Sequence, residues 1–262
     1  MQNTTTDIVV LCADQLETAE ATRRPIRPIT EQFPDCSVET AYEIQMYNVR
    51  RRVERGDRVA GHKVGLTSKP MQQMLGVPEP DFGHLFASMY FQSGDVVDYP
   101  LIQPKVEAEL AFILKADLAG PNITFLDVLE ATEFVVPALE IIDSRIADWK
   151  IKLVDTVADN ASSGCFALGD TYTAPTNVHL GTVGGVFKKN GSVVQTGAGG
   201  AVLGHPALSV AWLANKLGSL GTVLRKGSVV LSGAISAAVA VEPGDCVSVS
   251  FGKLGRVEVT MK

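Results

Sequence analysis

Apolar positions in the first part of the chain recur with the period of an α-helix. The pattern predicts one helix over residues 7–21 and a second helix that Ser37 can cap and Gly56 ends. The apolar stripe of the second helix advances by four, four, three and four residues, as successive helical turns require. Its members are Val38, Tyr42, Met46, Val49 and Val53. The two helices predict a small N-terminal helical cap formed by residues 1–58.

From residue 59 onward the pattern changes to short apolar runs separated by glycine-rich turns. Runs rich in β-branched residues predict strands, and Asn190-Gly191 lies between two of them as the turn of a hairpin. A helix over residues 206–217 is expected to end at Gly218, and a shorter helix is expected at residues 70–75. Later strands are predicted at residues 228–231, 246–251 and 256–260. The chain is therefore predicted to be α+β, with residues 59–262 forming a β-rich domain.

A pair of glutamates interrupts the strand predicted at residues 104–114. Glu107 and Glu109 are two positions apart, so their side chains share one face and lie roughly 6 to 7 Å apart along the strand. A solvated face of an antiparallel sheet would also carry such a pair. Glu140 favours a metal site, because it interrupts the span 135–142, which is otherwise apolar except for a proline, and a buried carboxylate needs a partner. Three carboxylates without a nearby Cys or His pattern suit Mg²⁺ or Mn²⁺.

Two further charged residues have unusual surroundings. Lys63 lies among small and apolar residues, where it either extends its ammonium to solvent or supplies a positive charge or proton to a substrate. Asp81 belongs to a loop stiffened by prolines and is either a turn residue or part of a site. The segment 155–164 is rich in small hydrogen-bonding side chains, which suits helix capping and the lining of a polar pocket equally.

Composition narrows the class of protein. Of 262 residues, 46% are hydrophobic and 20% are charged, which excludes a disordered chain, and a formal charge of −6 argues against nucleic acid as a partner. No apolar run reaches the length of a membrane helix, and no secretion signal is expected. The four cysteines are scattered, and the sequence contains neither a nucleotide-binding glycine motif nor histidines at zinc-ligand spacing. These features predict a cytoplasmic protein with reduced thiols.

Five segments together resemble the motifs of a known family. They are residues 63–68, 80–83, 103–109, 137–145 and 155–162. Through them the chain resembles the 2-oxopent-4-enoate (2-hydroxypenta-2,4-dienoate) hydratases of bacterial meta-cleavage pathways for aromatic compounds, within the fumarylacetoacetate hydrolase superfamily. The resemblance covers nearly the whole chain. It implies a small helical cap on a mixed, twisted β-sheet domain of the fumarylacetoacetase C-terminal type.

The resemblance also implies roles for individual residues. Those that match the metal ligands of the family are Glu107, Glu109 and Glu140, which agrees with the interpretation from spacing and burial. Lys63 and Asp81 match positions used for proton transfer and charge stabilisation around the substrate. The residues expected along the substrate pocket are Leu66, Ser162, Ser232 and Gly233. The cofactor implied is a divalent metal, Mg²⁺ or Mn²⁺.

The activity that the resemblance implies is the addition of water to a 2-hydroxydienoate, which gives a 4-hydroxy-2-oxo acid. The sister branch, the 4-oxalocrotonate decarboxylases, is similar across the same core and is the first alternative. His62 departs from the Lys or Arg expected before Lys63 in the hydratases, and this leaves the distal end of the substrate open. A second alternative is a catalytically silent partner subunit, which the retention of all the carboxylates and the lysine disfavours. A homo-oligomer and association with a decarboxylase or aldolase of the same pathway are expected.

Overall fold

The computed structural model describes residues 5–262, apart from the side chains of Met74 and Leu75. The helices of this part of the chain are α1 (Thr5–Thr22), α2 (Ile29–Gln32), α3 (Val38–Glu54), α4 (Lys69–Leu75), α5 (Phe125–Ala131), α6 (Leu153–Ala158) and α7 (Pro206–Ser219). Its strands are β1 (Val59–Gly65), β2 (Asp81–Phe86), β3 (Tyr90–Gln92), β4 (Val96–Val97), β5 (Lys105–Leu114), β6 (Thr132–Ile142), β7 (Ser163–Leu168), β8 (Gly184–Lys189), β9 (Ser192–Ala198), β10 (Val229–Leu231), β11 (Val239–Ala240), β12 (Cys246–Ser250) and β13 (Arg256–Met261).

The strands form two mixed sheets. In the described chain, the larger sheet has the strand order β2-β1-β10-β5-β6-β7-β3, with β11 also paired to β5. Its β1 and β10 are parallel, whereas the long β5 and β6 are antiparallel. The smaller sheet has the order β4-β13-β12-β8-β9 and contains the hairpin predicted at Asn190-Gly191. The predicted α+β class, with helices followed by mixed sheets, is confirmed.

The N-terminal helices cover one end of the larger sheet. Ser37 caps α3 as predicted, because its side chain accepts a hydrogen bond from the backbone N–H of Thr40. The predicted stripe on this helix was partly wrong. Val53 is 44% exposed, whereas the buried positions of the helix are Ala41, Ile44, Gln45 and Val49. Gln45 can be buried because its amide donates to the carbonyls of Phe82 and Val157.

The division of the chain at residue 58 stays a prediction. The helices α1 and α3 bury their own apolar cluster, separate from the main core, yet Ile146 and Val157 from the later part of the chain belong to that cluster. Two single elements differ from the prediction. The helix α7 does not end at Gly218 but continues to Ser219, and the strand β7, which was not predicted, directly follows the polar segment around Ser162. Within residues 5–262, no helix is long and apolar enough to cross a membrane.

Candidate metal centre and active site

The pairing of β5 with β6 assembles the acidic cluster. Glu107 is directly opposite Glu140 in the antiparallel register, and Glu109 lies two residues further along the same face of β5. One carboxylate oxygen from each of these three residues lies within 4.8 Å of the other two. Alternation along two strands therefore brings together the three glutamates that the sequence predicted as metal ligands.

Three of the six carboxylate oxygens of this cluster are buried without a hydrogen-bonding partner among the described residues. Glu109 and Glu140 are buried and Glu107 is half-buried. The backbone N–H of Gly233 donates to Oε2 of Glu109 at 2.8 Å, but among the described residues Oε1 of Glu109 and both oxygens of Glu140 accept no hydrogen bond. Burial raises the pKa of all three carboxyls, that of Glu107 to about 7, and repulsion from neighbouring carboxylates adds to the shift at Glu107 and Glu109. The cluster thus holds more negative charge than its surroundings compensate.

A divalent cation fits this arrangement. Hard cations such as Mg²⁺ and Mn²⁺ prefer carboxylate oxygens, and they usually retain open positions for water or substrate. The buried oxygens without partners supply such a donor set, since an ion would satisfy them all at once. The residues present therefore fit a divalent metal.

Lys63 on β1 and Asp81 on β2 adjoin the cluster from strands that lie beyond β10 in the larger sheet. The ammonium Nζ of Lys63 lies 3.4 Å from Oε1 of Glu140 and donates to the carbonyl of Ala161 at 2.9 Å. Burial disfavours its charge, but the carboxylates of Glu140 and Asp81 outweigh burial and raise the pKa of Lys63. Burial also raises the pKa of Asp81, which the ammonium of Lys63 opposes. A buried ammonium and a buried carboxyl of this kind can exchange protons with a bound molecule.

Gly65 makes room for these two groups. It lies opposite Asp81 in the pairing of β1 with β2. A Cβ at this position would lie 2.2 Å from Oδ1 of Asp81 and 3.4 Å from Nζ of Lys63. Lys63 and Asp81 therefore both border the space that a side chain at position 65 would fill.

The predicted pocket residues occupy different positions around this centre. Gly233 bonds Glu109, and Ser232 precedes it with a buried hydroxyl that has no partner among the described residues. Ser162 directly follows Ala161, and its hydroxyl lies 3.2 Å from that of Thr156. Leu66 is half-buried after Gly65, and its carbonyl accepts a hydrogen bond from Gln72. Contact of these four residues with a substrate stays a prediction.

Sequence reasoning missed a cation at the open end of the site. Lys105 lies on the same face of β5 as Glu107 and Glu109. Exposure increases along this face, from buried Glu109 to half-buried Glu107 and Lys105, so solvent reaches the cluster from the Lys105 end. Nζ of Lys105 lies 4.3 Å from the ring centroid of Trp149, whose indole N–H donates to the carbonyl of Gln103. Trp149 is 44 residues away in sequence, so no local pattern could have indicated this contact.

The segment 155–164 serves both of the purposes that its composition suggested. Asp155 accepts hydrogen bonds from Thr30 and from the backbone of Lys152, which ties α2 to α6. Asp159 forms a buried ion pair with Arg145. The next residues, Asn160 to Ser162, turn back towards Lys63. Capping therefore occupies the first half of the segment, and the second half reaches the site.

Comparisons with known proteins agree with this arrangement. The sequence profile of the family described as "Fumarylacetoacetate (FAA) hydrolase C-terminal" matches residues 51–262. A 2-keto-4-pentenoate hydratase from Paraburkholderia xenovorans is 48% identical over 246 residues, which cover 94% of this chain and 91% of that protein. A 4-oxalocrotonate decarboxylase from Pseudomonas sp. (strain CF600) is 44% identical over 248 residues, which cover 94% of each chain.

A solved structure matches along the whole chain. It is the 4-oxalocrotonate decarboxylase from Pseudomonas putida G7, complexed with magnesium and adipate, which is 40% identical. The two chains superpose with a TM-score of 0.96 and cover each other completely. Profile, relatives and structure agree, and the chain belongs to the hydratase and decarboxylase family of the fumarylacetoacetate hydrolase superfamily.

Proposed function

We propose that this chain is a divalent-metal-dependent hydratase that adds water to 2-hydroxypenta-2,4-dienoate, or a close homologue, in the degradation of aromatic compounds. The observation that carries the proposal is the buried cluster of three carboxylates with Lys63 3.4 Å from Glu140. The hydratase relative at 48% identity supports this activity ahead of decarboxylation, for which the relative above is 44% identical.

The metal in this proposal is Mg²⁺ or Mn²⁺. Glu107, Glu109 and Glu140 would hold it, since oxygen donors suit both ions. When bound, such an ion supplies a Lewis acid that polarises the carbonyl and carboxylate oxygens of a 2-oxo acid. The hydrogen bond from Gly233 would fix the orientation of the Glu109 carboxylate.

Lys63 and Asp81 would move and stabilise charge during the reaction. The dienoate loses the proton of its 2-hydroxyl group and gains one at C5, which gives a conjugated 2-oxo-3-enoate. The oxygen of water then bonds to C4 while C3 takes up a proton, and the product is a 4-hydroxy-2-oxo acid. We assign stabilisation of the negative charge at the C2 oxygen to the ammonium of Lys63, and proton transfer to Asp81.

Lys105 would receive the carboxylate of the substrate. Lys63 and Asp81 are buried, so the carbon atoms that react must extend inward. The C1 carboxylate then lies at the open end of the cluster, towards Lys105. A half-buried ammonium at this position attracts an anionic substrate into a site that carries excess negative charge.

The test is consumption of freshly generated 2-hydroxypenta-2,4-dienoate, followed by ultraviolet absorbance with Mg²⁺, with Mn²⁺ and with chelator. The expected product has gained the mass of one water, and the chelator abolishes its formation. Release of carbon dioxide from 4-oxalocrotonate, without hydration of the dienoate, would assign the chain to decarboxylation instead. The structural similarity to a decarboxylase makes this the alternative to test in parallel. Inactivity towards both substrates would favour a silent partner subunit.

We also propose that the chain is a cytoplasmic homo-oligomer that associates with a decarboxylase or aldolase of the same pathway. Decarboxylases among its relatives support a shared pathway, and closed homo-oligomers are the commonest kind of soluble oligomer in general. Light scattering after size-exclusion chromatography, on the chain alone and mixed with each partner enzyme, tests this assembly. A monomer that passes unchanged through both mixtures would contradict it.

A further inference from the structure

Three consecutive residues of the site have a backbone conformation that is unfavourable for L-amino acids. Asn160, Ala161 and Ser162 have φ angles of 53°, 50° and 53°. We refer to these residues as the left-handed turn. Only glycine adopts this conformation freely, and other residues are strained in it, Asn the least. Such a run persists only where the surrounding structure holds it in place.

The side chain of Asn160 supplies much of that support. Its Oδ1 accepts a hydrogen bond from the backbone N–H of His84 at 2.7 Å, and its Nδ2 donates to the carbonyl of His84 at 2.9 Å. The amide thereby clamps the turn to β2. Close contact requires Gly83, because a Cβ there would lie 2.3 Å from the carbonyl oxygen of Asn160. Gly83 also pairs directly with Lys63 in the register of β1 and β2.

The turn directs a carbonyl at the amine of Lys63. The carbonyl oxygen of Ala161 accepts a hydrogen bond from Nζ of Lys63 at 2.9 Å, and the same Nζ lies 3.4 Å from Oε1 of Glu140. An ammonium has three donors on a flexible stem, so a fixed acceptor on one side decides where the others point. In a right-handed conformation of residues 160–162 this carbonyl would face elsewhere, because the peptide planes would rotate.

We propose that Asn160 is a positioning residue of the active site. Its amide clamp on the backbone of His84 holds the left-handed turn, and the turn holds the carbonyl of Ala161 against Lys63. The ammonium is thereby directed towards the carboxylate cluster before substrate arrives. The proposal deepens the proposed function, because it rests on Lys63 acting in the hydration reaction.

A second clamp in the same chain provides a matched control. Asn215 in α7 uses its amide in the same way on Ile123, accepting from the backbone N–H at 2.8 Å and donating to the carbonyl at 2.9 Å. Both clamps join segments distant in sequence, and both are partly buried. Asn215→Ala therefore removes the same two kinds of hydrogen bond as Asn160→Ala, without touching the left-handed turn.

The experiment compares wild type, Asn160→Ala, Asn160→Gly and Asn215→Ala. Turnover of 2-hydroxypenta-2,4-dienoate gives kcat and KM, calorimetry gives Mn²⁺ affinity, and ¹H–¹⁵N spectra of ¹⁵N-lysine-labelled protein give the Nζ resonance of Lys63. We expect Asn160→Ala and Asn160→Gly each to lower kcat about 30-fold and to shift or broaden the Lys63 resonance, a loss within the range of a misplaced catalytic group. KM and Mn²⁺ affinity should stay within twofold. Asn215→Ala should leave kcat within twofold and the Lys63 resonance unchanged.

Two results would overturn the proposal. Wild-type kcat and an unchanged Lys63 resonance in Asn160→Gly would mean that the amide clamp is dispensable once the turn is free of strain. An equal loss of kcat in Asn160→Ala and Asn215→Ala would mean that loss of any such clamp lowers activity. The Lys63 resonance reports on the turn even if the wild type proves unable to hydrate the dienoate, so the two proposals fail separately.

Discussion

The two faces of the β1–β2 pair are both buried, yet they differ in chemistry. The face towards the carboxylate cluster carries Lys63 and Asp81, with glycines at positions 65 and 83. We call this the site face. The opposite face lies beneath α3 and carries aromatic and histidine rings, and we call it the cap face. Phe82 stacks on Tyr42 with centroids 4.7 Å apart, and Nδ1 of His84 lies 3.0 Å from the amide oxygen of Gln45. Alternation along two strands thus separates a charged site from a neutral packed layer.

Burial alone does not decide whether a titratable side chain is charged. On the cap face, burial keeps the histidines uncharged and lowers the pKa of His84 to about 4. On the site face, Lys63 stays charged because the carboxylates of Glu140 and Asp81 outweigh burial. Space differs as well, since rings fill the cap face, whereas on the site face Gly65 leaves room for Lys63 and Asp81 and Gly83 leaves room for the left-handed turn. A site for chemistry therefore needs charge that is compensated across strands and glycines that let the interacting groups approach closely.

The largest effect should come from removing the charge on the site face. Lys63→Met keeps the length of the side chain but removes its ammonium, so we expect kcat to fall about 1,000-fold, within the range for an acid–base or electrostatic group. The affinity for Mn²⁺ should not weaken, because the variant lacks an ammonium that would repel the metal ion at the cluster. Steady-state kinetics and calorimetry measure the two quantities. A kcat within tenfold of wild type would contradict the role of Lys63.

The cap face should contribute to the stability of the fold in a way that depends on pH, and it should not affect turnover of the substrate. His84 has a folded-state pKa of about 4, and the ordinary histidine value of 6.5 applies to the unfolded chain. The unfolded chain therefore binds more protons between these values, so stability is complete above pH 6.5 and is lost as the pH falls towards 4. The loss from this residue amounts to at most about 3 kcal/mol at 1.36 kcal/mol for each pKa unit.

Urea unfolding of metal-free wild type and His84→Gln, at pH 7.5 and pH 5, measures this contribution. The wild type should lose more free energy of unfolding between the two pH values than the variant does. Carboxylates titrate in both proteins, so the difference between them reports His84 together with its repulsion of the neighbouring buried His62. Equal losses in the two proteins would contradict a buried neutral histidine at this position.

The smallest effect should come from the mouth of the site. Lys105→Met removes the ammonium above Trp149, and we expect KM to rise about tenfold with kcat within twofold, as for lost binding of a substrate carboxylate. Lys188→Met, at an exposed position of strand β8, is the control and should change neither. A fall in kcat with unchanged KM would move Lys105 from binding the substrate to the reaction itself.

Strand periodicity was enough to predict the carboxylate cluster. Glu107 and Glu109 share a face because a strand alternates, and Glu140 stood out because its neighbours are apolar. The cap helices followed from period and capping signals, and Ser37 caps α3 as predicted. Local rules of this kind apply where one segment decides its own conformation.

Other features depend on distant segments and were not predictable. Val53 continues the helical stripe but is 44% exposed, whereas polar Gln45 is buried because two backbone carbonyls accept its amide protons. The left-handed turn at residues 160–162 has no glycine to indicate it. It exists because β2 approaches closely at Gly83 and gives Asn160 its partner. Contacts between segments some 76 residues apart leave no periodic signal in either segment.

A Mn²⁺ titration of metal-free protein tests whether the carboxylate cluster is the metal centre. Electron paramagnetic resonance follows the bound metal, and hydration of the dienoate is assayed in the same samples. The prediction is that activity returns in proportion to one bound Mn²⁺ for each chain, and that Glu140→Gln neither binds Mn²⁺ at this site nor hydrates the dienoate. Glu133→Gln, an exposed position on the same strand, should behave as wild type. Hydration by metal-free protein, or full activity of Glu140→Gln, would contradict the carboxylate cluster as the metal centre.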